Sequence, residues 1–405
     1  MNTPNVPDWH SIPRFLCALL LLFAVVACGS SSSNTSDATN QTADTLTSDA
    51  DNGQADTSDG SNTISLGDAT GLLQSKADIE IEKLENVEIG SYRSPTLNVT
   101  VTEETQSFMI LVQGSPLTVY GLLKLAEPDG TLIYSAPTLY SCSPCKNRIL
   151  PTTEAAAFLV PNSPKVTLKP GTYTFQIGGT TETESVTVQI VRYQSPTRLS
   201  AGKLALNFFL TGVGGVTSAN VNESPVYTKL LSDMANIYTQ AGITIDNVRY
   251  YDIPETFQSI KSTTGGDDDL SKLFRQSSIA DEGINIFIVR SLPSGILGIA
   301  GGIPGPAWIK GAATSGVAVR WNGTSTGDYL GAVIAHEVGH FLGLFHSTEQ
   351  DGSDDYLDDT LHDDTNNLMH WTGDTSQALP LVETNHRISV DQRFVLLSNP
   401  FVHLR

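Results

Sequence analysis

His336-Glu337-Val338-Gly339-His340-Phe341-Leu342-Gly343-Leu344-Phe345-His346 decides how the rest of the chain is read. Two histidines four residues apart lie one turn above the other on a helix face, so both imidazoles reach one metal ion. Glu337 follows the first histidine and projects beside that ion, where a carboxylate serves as general base toward water. Ala332, Val333, Ile334 and Ala335, just before the motif, are the residues of a helix buried in a core. Gly343 reaches backbone angles closed to other residues, which ends the helix and lets the chain turn sharply. That turn brings His346 round as a third nitrogen ligand.

Three neutral imidazoles with one position left for water make a catalytic zinc site, whereas structural sites are usually closed by four protein ligands. The stretch therefore predicts a zinc hydrolase, with His336, His340 and His346 as ligands and Glu337 as base. A bare HExxH pattern also arises by chance on amphipathic helices, its buried histidines satisfied by hydrogen bonds. Gly343 and His346 at these offsets, in an apolar frame, weigh against that reading. From the motif alone two further functions stay open. One is a surface-anchored binding lipoprotein whose zinc site is degenerate or structural; the other is a zinc hydrolase acting on a non-peptide bond. An intact Glu337 speaks against the first, since structural zinc has no use for a general base.

The pattern HExxHxxGxxH resembles the metzincin metallopeptidases, which also carry a methionine-containing turn beneath the metal. Asn367-Leu368-Met369-His370-Trp371 looks like that Met-turn. Between the two, Tyr356-Leu357-Asp358-Asp359-Thr360 is similar to the acidic D-D-T element of the pappalysin-like branch. That branch usually has a proline after D-D-T and a tyrosine two residues after the methionine; Leu361 and Trp371 stand there instead. The resemblance covers about the last two hundred residues. It implies an endopeptidase acting on protein or peptide substrates. It also implies an α+β catalytic domain: a twisted mixed sheet, a backing helix, an active-site helix and a small C-terminal subdomain. Met369 is then an apolar floor under the histidines rather than a ligand, because a thioether suits zinc poorly.

The 405 residues, 40% of them apolar, suffice for two domains once processing segments are set aside. With 23 basic against 43 acidic side chains the formal charge is -20, and nucleic acid is excluded as a partner, since no basic patch displaces phosphate counterions. Residues 1–27 read as a lipoprotein signal peptide. Ile12 to Ala27 is an apolar run too short for a membrane span, with His10 and Arg14 as its positive charges. It ends in Val25-Val26-Ala27-Cys28, which resembles a bacterial lipobox, so Cys28 is expected to carry a lipid anchor to a membrane; an ordinary signal peptide with a fortuitous cysteine is the alternative. Gly29 after that cysteine, by the same resemblance, favours the outer membrane and an extracytoplasmic location. Residues 28–63, nearly all Ser, Thr, Asn, Asp, Ala and Gly, cannot bury enough surface to offset chain entropy and read as a disordered tether.

Residues 64–197 alternate short apolar runs with turn residues. Strands are expected at Leu97 to Thr102, Ser107 to Val112, Leu117 to Leu125, Thr131 to Tyr134, Ala155 to Val160, Thr172 to Ile177 and Ser185 to Val191. Pro128-Asp129-Gly130 and Lys169-Pro170-Gly171 mark turns. This pattern predicts an antiparallel, all-β sandwich-like domain. Cys142-Ser143-Pro144-Cys145 reads as a small-loop disulfide outside the cytoplasm. A metal half-site, a redox pair, and a thiolate that blocks the zinc of a latent enzyme are the weaker readings.

Residues 198–405 form the expected metallopeptidase domain. Leu204 to Leu210 is a strand, Gly212 to Gly215 a loop, and Ser224-Pro225 opens a helix with a side-chain cap and proline at its first position. Val226, Leu230, Leu231, Met234, Ile237 and Tyr238 recur at helical spacing before Gly242. Ile243 to Ile253 and Ile284 to Val289 are strands, and Gly265 to Asp269 is a solvated loop. Gly295 to Gly316 leads into Val317-Ala318-Val319-Arg320-Trp321; the resemblance places the substrate-pairing edge strand in this region, against the alternative of a plain surface loop. The acidic loop Glu349, Asp351, Asp354, Asp355, Asp358, Asp359, Asp363 and Asp364 offers oxygens to Ca2+, with a solvated loop as the equal alternative. His362, His370, His386 and His403 read as surface or packing residues. Ser389-Val390-Asp391-Gln392 is a capping box for a last helix running through about Ser398.

Overall fold

The computed structural model describes residues 78–264, 266–293, 295–371 and 386–403. The expected signal segment, the expected lipidation site at Cys28 and the expected tether lie outside the described residues. Among the described residues no helix is long and apolar enough to cross a membrane, which says nothing of a β-barrel.

The N-terminal half is a sandwich of two antiparallel sheets. One sheet has the order β1-β9-β3-β7 and is built from Asp78–Gly90 (β1), Thr105–Gln113 (β3), Ala155–Val160 (β7) and Thr183–Gln194 (β9). The other has the order β2-β8-β4-β5 and is built from Leu97–Val101 (β2), Val119–Ala126 (β4), Leu132–Ser135 (β5) and Gly171–Gly179 (β8). The short Thr152–Thr153 (β6) adds to β4. Strand β1 was not expected. Its Glu80, Glu82, Glu85 and Glu88 mask the alternation of Ile79, Ile81, Val87 and Ile89, and a register shift between Leu84 and Val87 breaks the phase. Charge on an edge strand also blunts unwanted pairing with other chains.

β3 and β7 are continuous apolar runs, the signature of strands covered on both faces. On β3, Phe108, Ile110 and Val112 enter the sandwich core while Met109 and Leu111 enter the core of the C-terminal half. On β7, Ala156, Phe158 and Val160 face the first core, and Ala155, Ala157 and Leu159 the second. The sheet is thus a shared wall. Polar ties reinforce it: Glu154 takes Arg275 at 2.7 Å and the Ala313 amide at 2.9 Å, and the Thr314 hydroxyl donates to the Ala155 carbonyl at 2.8 Å.

The C-terminal half is built on a mixed sheet of order β11-β10-β12-β14-β13. Gly202–Leu210 (β10), Ile243–Asp252 (β11), Ile284–Val289 (β12) and Val317–Arg320 (β14) run parallel, and Gly298–Ala300 (β13) is antiparallel to β14. Val317 to Arg320 is therefore an inner strand, and the edge is β13. Three residues are too few to show a period in sequence. Pro225–Thr239 (α1) and Leu330–Leu342 (α3) pack together on one face, where the Tyr238 hydroxyl donates to the Ala335 carbonyl at 2.8 Å. Ser224 occupies the N-cap of α1, but its side chain makes no capping bond; its carbonyl accepts from the Thr228 amide and hydroxyl, and its amide donates to the Val221 carbonyl. Asp268, expected in a solvated loop, is buried and caps Asp269–Phe274 (α2), accepting from the Ser271 amide at 3.0 Å and hydroxyl at 2.7 Å. Val390–Ser398 (α4) begins with the full capping box of Ser389 and Gln392. Together the two sandwich sheets, the mixed sheet and the few helices make an α+β architecture, with α1 and the histidine-bearing α3 packed on the mixed sheet of the C-terminal half.

Candidate metal centre

Helix α3 ends where Gly343 takes φ 117°, a left-handed conformation that L side chains rarely adopt. The Gly343 amide then bonds the His340 carbonyl at 2.8 Å and the Leu344 amide the Gly339 carbonyl at 2.9 Å. This reversal carries His346 back over the helix. His336, Glu337, His340 and His346 are all buried. The imidazole centroids are 4.7, 5.3 and 4.6 Å apart, and one nitrogen from each ring lies within 4.8 Å of the others.

Each ring is oriented from behind. The Nδ1 of His336 pairs with the Leu368 carbonyl at 2.7 Å, that of His340 with the Leu344 carbonyl at 2.7 Å, and that of His346 with Glu349 at 2.9 Å. A carbonyl or carboxylate only accepts, so Nδ1 carries the proton on each neutral ring and Nε2 presents a lone pair to the centre. The Nε2 atoms of His340 and His346 lie 3.1 Å apart. Two facing lone pairs at that distance need a cation between them. Burial also pushes the pKa of His340 and His346 well below the ordinary histidine range, which keeps both rings neutral as ligands.

Glu337 completes the fit. Burial pushes its carboxyl well above the ordinary range, and neither oxygen has a hydrogen-bond partner among the described residues. An orphaned buried carboxyl beside three converging imidazoles suits a site that takes a cation and water. Gly298 of the edge strand makes room for it: a Cβ there would stand 2.5 Å from Glu337 Oε1.

The segment around Met369 lies against the same helix. A Cβ on Gly339 would come 2.9 Å from the Met369 sulfur, so the thioether packs into the space that glycine leaves. Asn367 holds this turn, accepting from the Met369 amide at 2.8 Å and pairing both ways with the Gln392 amide at 3.1 and 2.8 Å. Gln392 also serves the capping box, which ties the turn to α4. Asp359 of the D-D-T element accepts from the Ser389 hydroxyl at 2.7 Å and the Asp391 amide at 3.0 Å, anchoring the same helix start.

The other expected sites fall elsewhere. Cys142 and Cys145 form a disulfide, which removes the thiolate that the latency reading needs. The acidic loop does not converge on one point. Asp354 pairs with Thr348 and His362, Asp358 with Lys165, Asp359 with the α4 cap and Asp364 with Arg387. Among the described residues, the one group of three or more His, Cys, Asp or Glu able to share an ion is His336, His340 and His346. His403 is a packing residue stacked on Tyr193 at 4.0 Å, and His362 is exposed. Gly298 and the role of Glu349 behind His346 were missed; the spacing of three residues between His346 and Glu349 was the available signal.

Residues 272–393 match the family model described as pregnancy-associated plasma protein-A, a family of peptidases. Residues 272–393 therefore carry a pappalysin-like metallopeptidase segment. The matched segment includes all three histidines, Glu337, Met369 and the D-D-T element. Among solved structures, metalloproteinase-II from Bacteroides fragilis is similar at 14% identity and TM-score 0.33, over 52% of this chain and 62% of that one. The chain thus spans less than two thirds of that protein. Archaemetzincin from Methanopyrus kandleri is similar at 15% identity and TM-score 0.31, over 50% of this chain and 97% of that one. No curated protein matches this chain.

Proposed function

We propose that the chain is a zinc-dependent endopeptidase acting outside the cytoplasm, anchored through Cys28 to a bacterial, outer membrane. The observation that carries the catalytic part is the orphaned, buried Glu337 carboxyl beside three inward-facing imidazoles. His336, His340 and His346 would hold zinc, which supplies Lewis acidity toward water and a peptide carbonyl. Glu337 takes the proton of the attacking water at its carboxylate and returns it to the leaving amine nitrogen. An extended substrate adds to the edge at β13 by main-chain hydrogen bonds, which gives affinity with little dependence on sequence. The Cys142–Cys145 disulfide supports an oxidising compartment.

The test is cleavage of casein by the full chain, with and without a zinc chelator, beside Glu337→Gln. The expected result is chelator-sensitive activity, restored by zinc, and a variant that still binds zinc but is slower by about 10²–10⁴-fold. A zinc-loaded parent with no peptidase activity, or an active Glu337→Gln, refutes the proposal.

A further inference from the structure

We infer that Arg148, carried by the sandwich half, is a positioning residue of the metal centre: through Glu349 it fixes His346, so metal binding by one half depends on the other. The inference rests on the zinc reading above. The three imidazoles are not supported alike. His336 and His340 lean on backbone carbonyls of their own half, whereas His346 leans on a side chain, Glu349 Oε2, at 2.9 Å. The other oxygen of that carboxylate accepts from Arg148 Nη2 at 2.7 Å. Only about a fifth of either side chain is exposed, at 22% and 20%, so the pair is largely shielded from water. The guanidinium also lies 4.1 Å from the ring centroid of Phe345, the residue just before His346.

Arg148 is itself held rigidly. Its amide donates to Asn162 Oδ1 at 3.1 Å, and its carbonyl accepts from Asn162 Nδ2 at 2.5 Å. The Asn162 amide donates to Asn147 Oδ1 at 3.0 Å, and Asn147 Nδ2 donates to the Leu159 carbonyl of β7 at 2.8 Å. An unbroken chain of bonds therefore runs from the shared sheet through Arg148 and Glu349 to a metal-facing ring. A carboxylate behind an imidazole fixes its tautomer, aims Nε2 and raises its basicity; removing such a partner typically weakens metal binding about 10–100-fold. Glu349 without Arg148 keeps its charge partner no longer and is released to turn toward water.

The experiment measures the zinc dissociation constant of the full chain at fixed pH, by competition with a chromogenic chelator, for the parent and the variants. Arg148→Ala is expected to bind zinc about tenfold more weakly or worse, and Glu349→Ala at least as weakly. Because Arg148 acts through Glu349, the double variant is expected to be no weaker than Glu349→Ala alone. Arg148→Lys is expected to recover part of the loss. Lys165→Ala breaks an exposed ion pair to Asp358 across the same interface and is expected to leave zinc affinity unchanged. If Arg148→Ala fails to fold, Arg148→Met keeps an apolar stem over Phe345 and carries the same comparison. Parental affinity in the Arg148 variants, or losses that add in the double variant, overturns the positioning role. A parent chain that binds no zinc overturns the zinc reading itself, and the inference with it.

Discussion

Gly298→Ala isolates the placement of Glu337 better than any change to Glu337 itself. The added methyl would stand 2.5 Å from Glu337 Oε1, 2.6 Å from its Cγ and 2.8 Å from its Cδ. Ordinary contact begins at 3.4 Å, so the carboxyl must retreat by about 0.9 Å, the difference between 3.4 and 2.5 Å. The three atoms nearest the added methyl all belong to Glu337 rather than to an imidazole, and zinc should stay bound. A displacement near 1 Å at a reacting group costs about 10²-fold in rate, while overpacking at a buried contact costs about 1–3 kcal/mol of stability. The assay is kcat on a quenched fluorescent peptide, with zinc content and melting temperature measured on the same sample. Gly90→Ala, whose Cβ would meet nothing within 4 Å, is the control. A Gly298→Ala enzyme with parental kcat and an unchanged melting temperature would refute the reasoning, because the carboxyl would then have room the structure does not give it.

Zinc at a hundred times its dissociation constant should raise unfolding stability by about 2.7 kcal/mol, and His346→Ala should abolish that zinc-dependent shift in calorimetry. Burial pushes the pKa of His403 down to about 4. An unfolded histidine takes its proton near pH 6.5, so stability is expected to fall as pH drops from about 6.5 to 4 and to level off below. The gap corresponds to about 3 kcal/mol. His403→Phe keeps the stacking on Tyr193 and should lose less stability than the parent over that window in denaturant titrations; parallel curves for the two proteins would count against it. Asp268→Ala removes the side-chain cap of α2 and should cost about 1–2 kcal/mol, read as a lower denaturant midpoint with unchanged slope.

The elements that were legible are those whose cause is local. The histidine helix announces itself by spacing, and the runs Ala155 to Val160 and Ile284 to Val289 match β7 and β12 residue for residue, because short runs dominated by apolar residues, with only Asn285 polar, read as buried strands. What those runs did not reveal is what covers their second face. β7 was expected inside a sandwich and is also a wall of the metallopeptidase half, a fact that depends on residues far along the chain. β1 was hidden by its glutamates and by the phase change at Leu84 and Val87, and β13 by its brevity. Arg148 and Glu349, separated by 201 positions, carry no mutual signal in one sequence. Ser224 shows the reverse error: composition suggested a side-chain cap that the folded helix does without.

The shared sheet also bears on how the chain is made. The sandwich strands are complete at Gln194, and the strands and helices that cover their second face lie in the last half of the sequence. At about 5–20 residues per second, the remaining stretch takes on the order of 10–40 seconds to follow. For that interval Met109, Leu111, Ala155, Ala157, Leu159 and Val191 form an apolar face with nothing against it. The nascent half is therefore at its most adhesive before the enzyme half exists, and a delay in supplying the second half would favour clumping of the first.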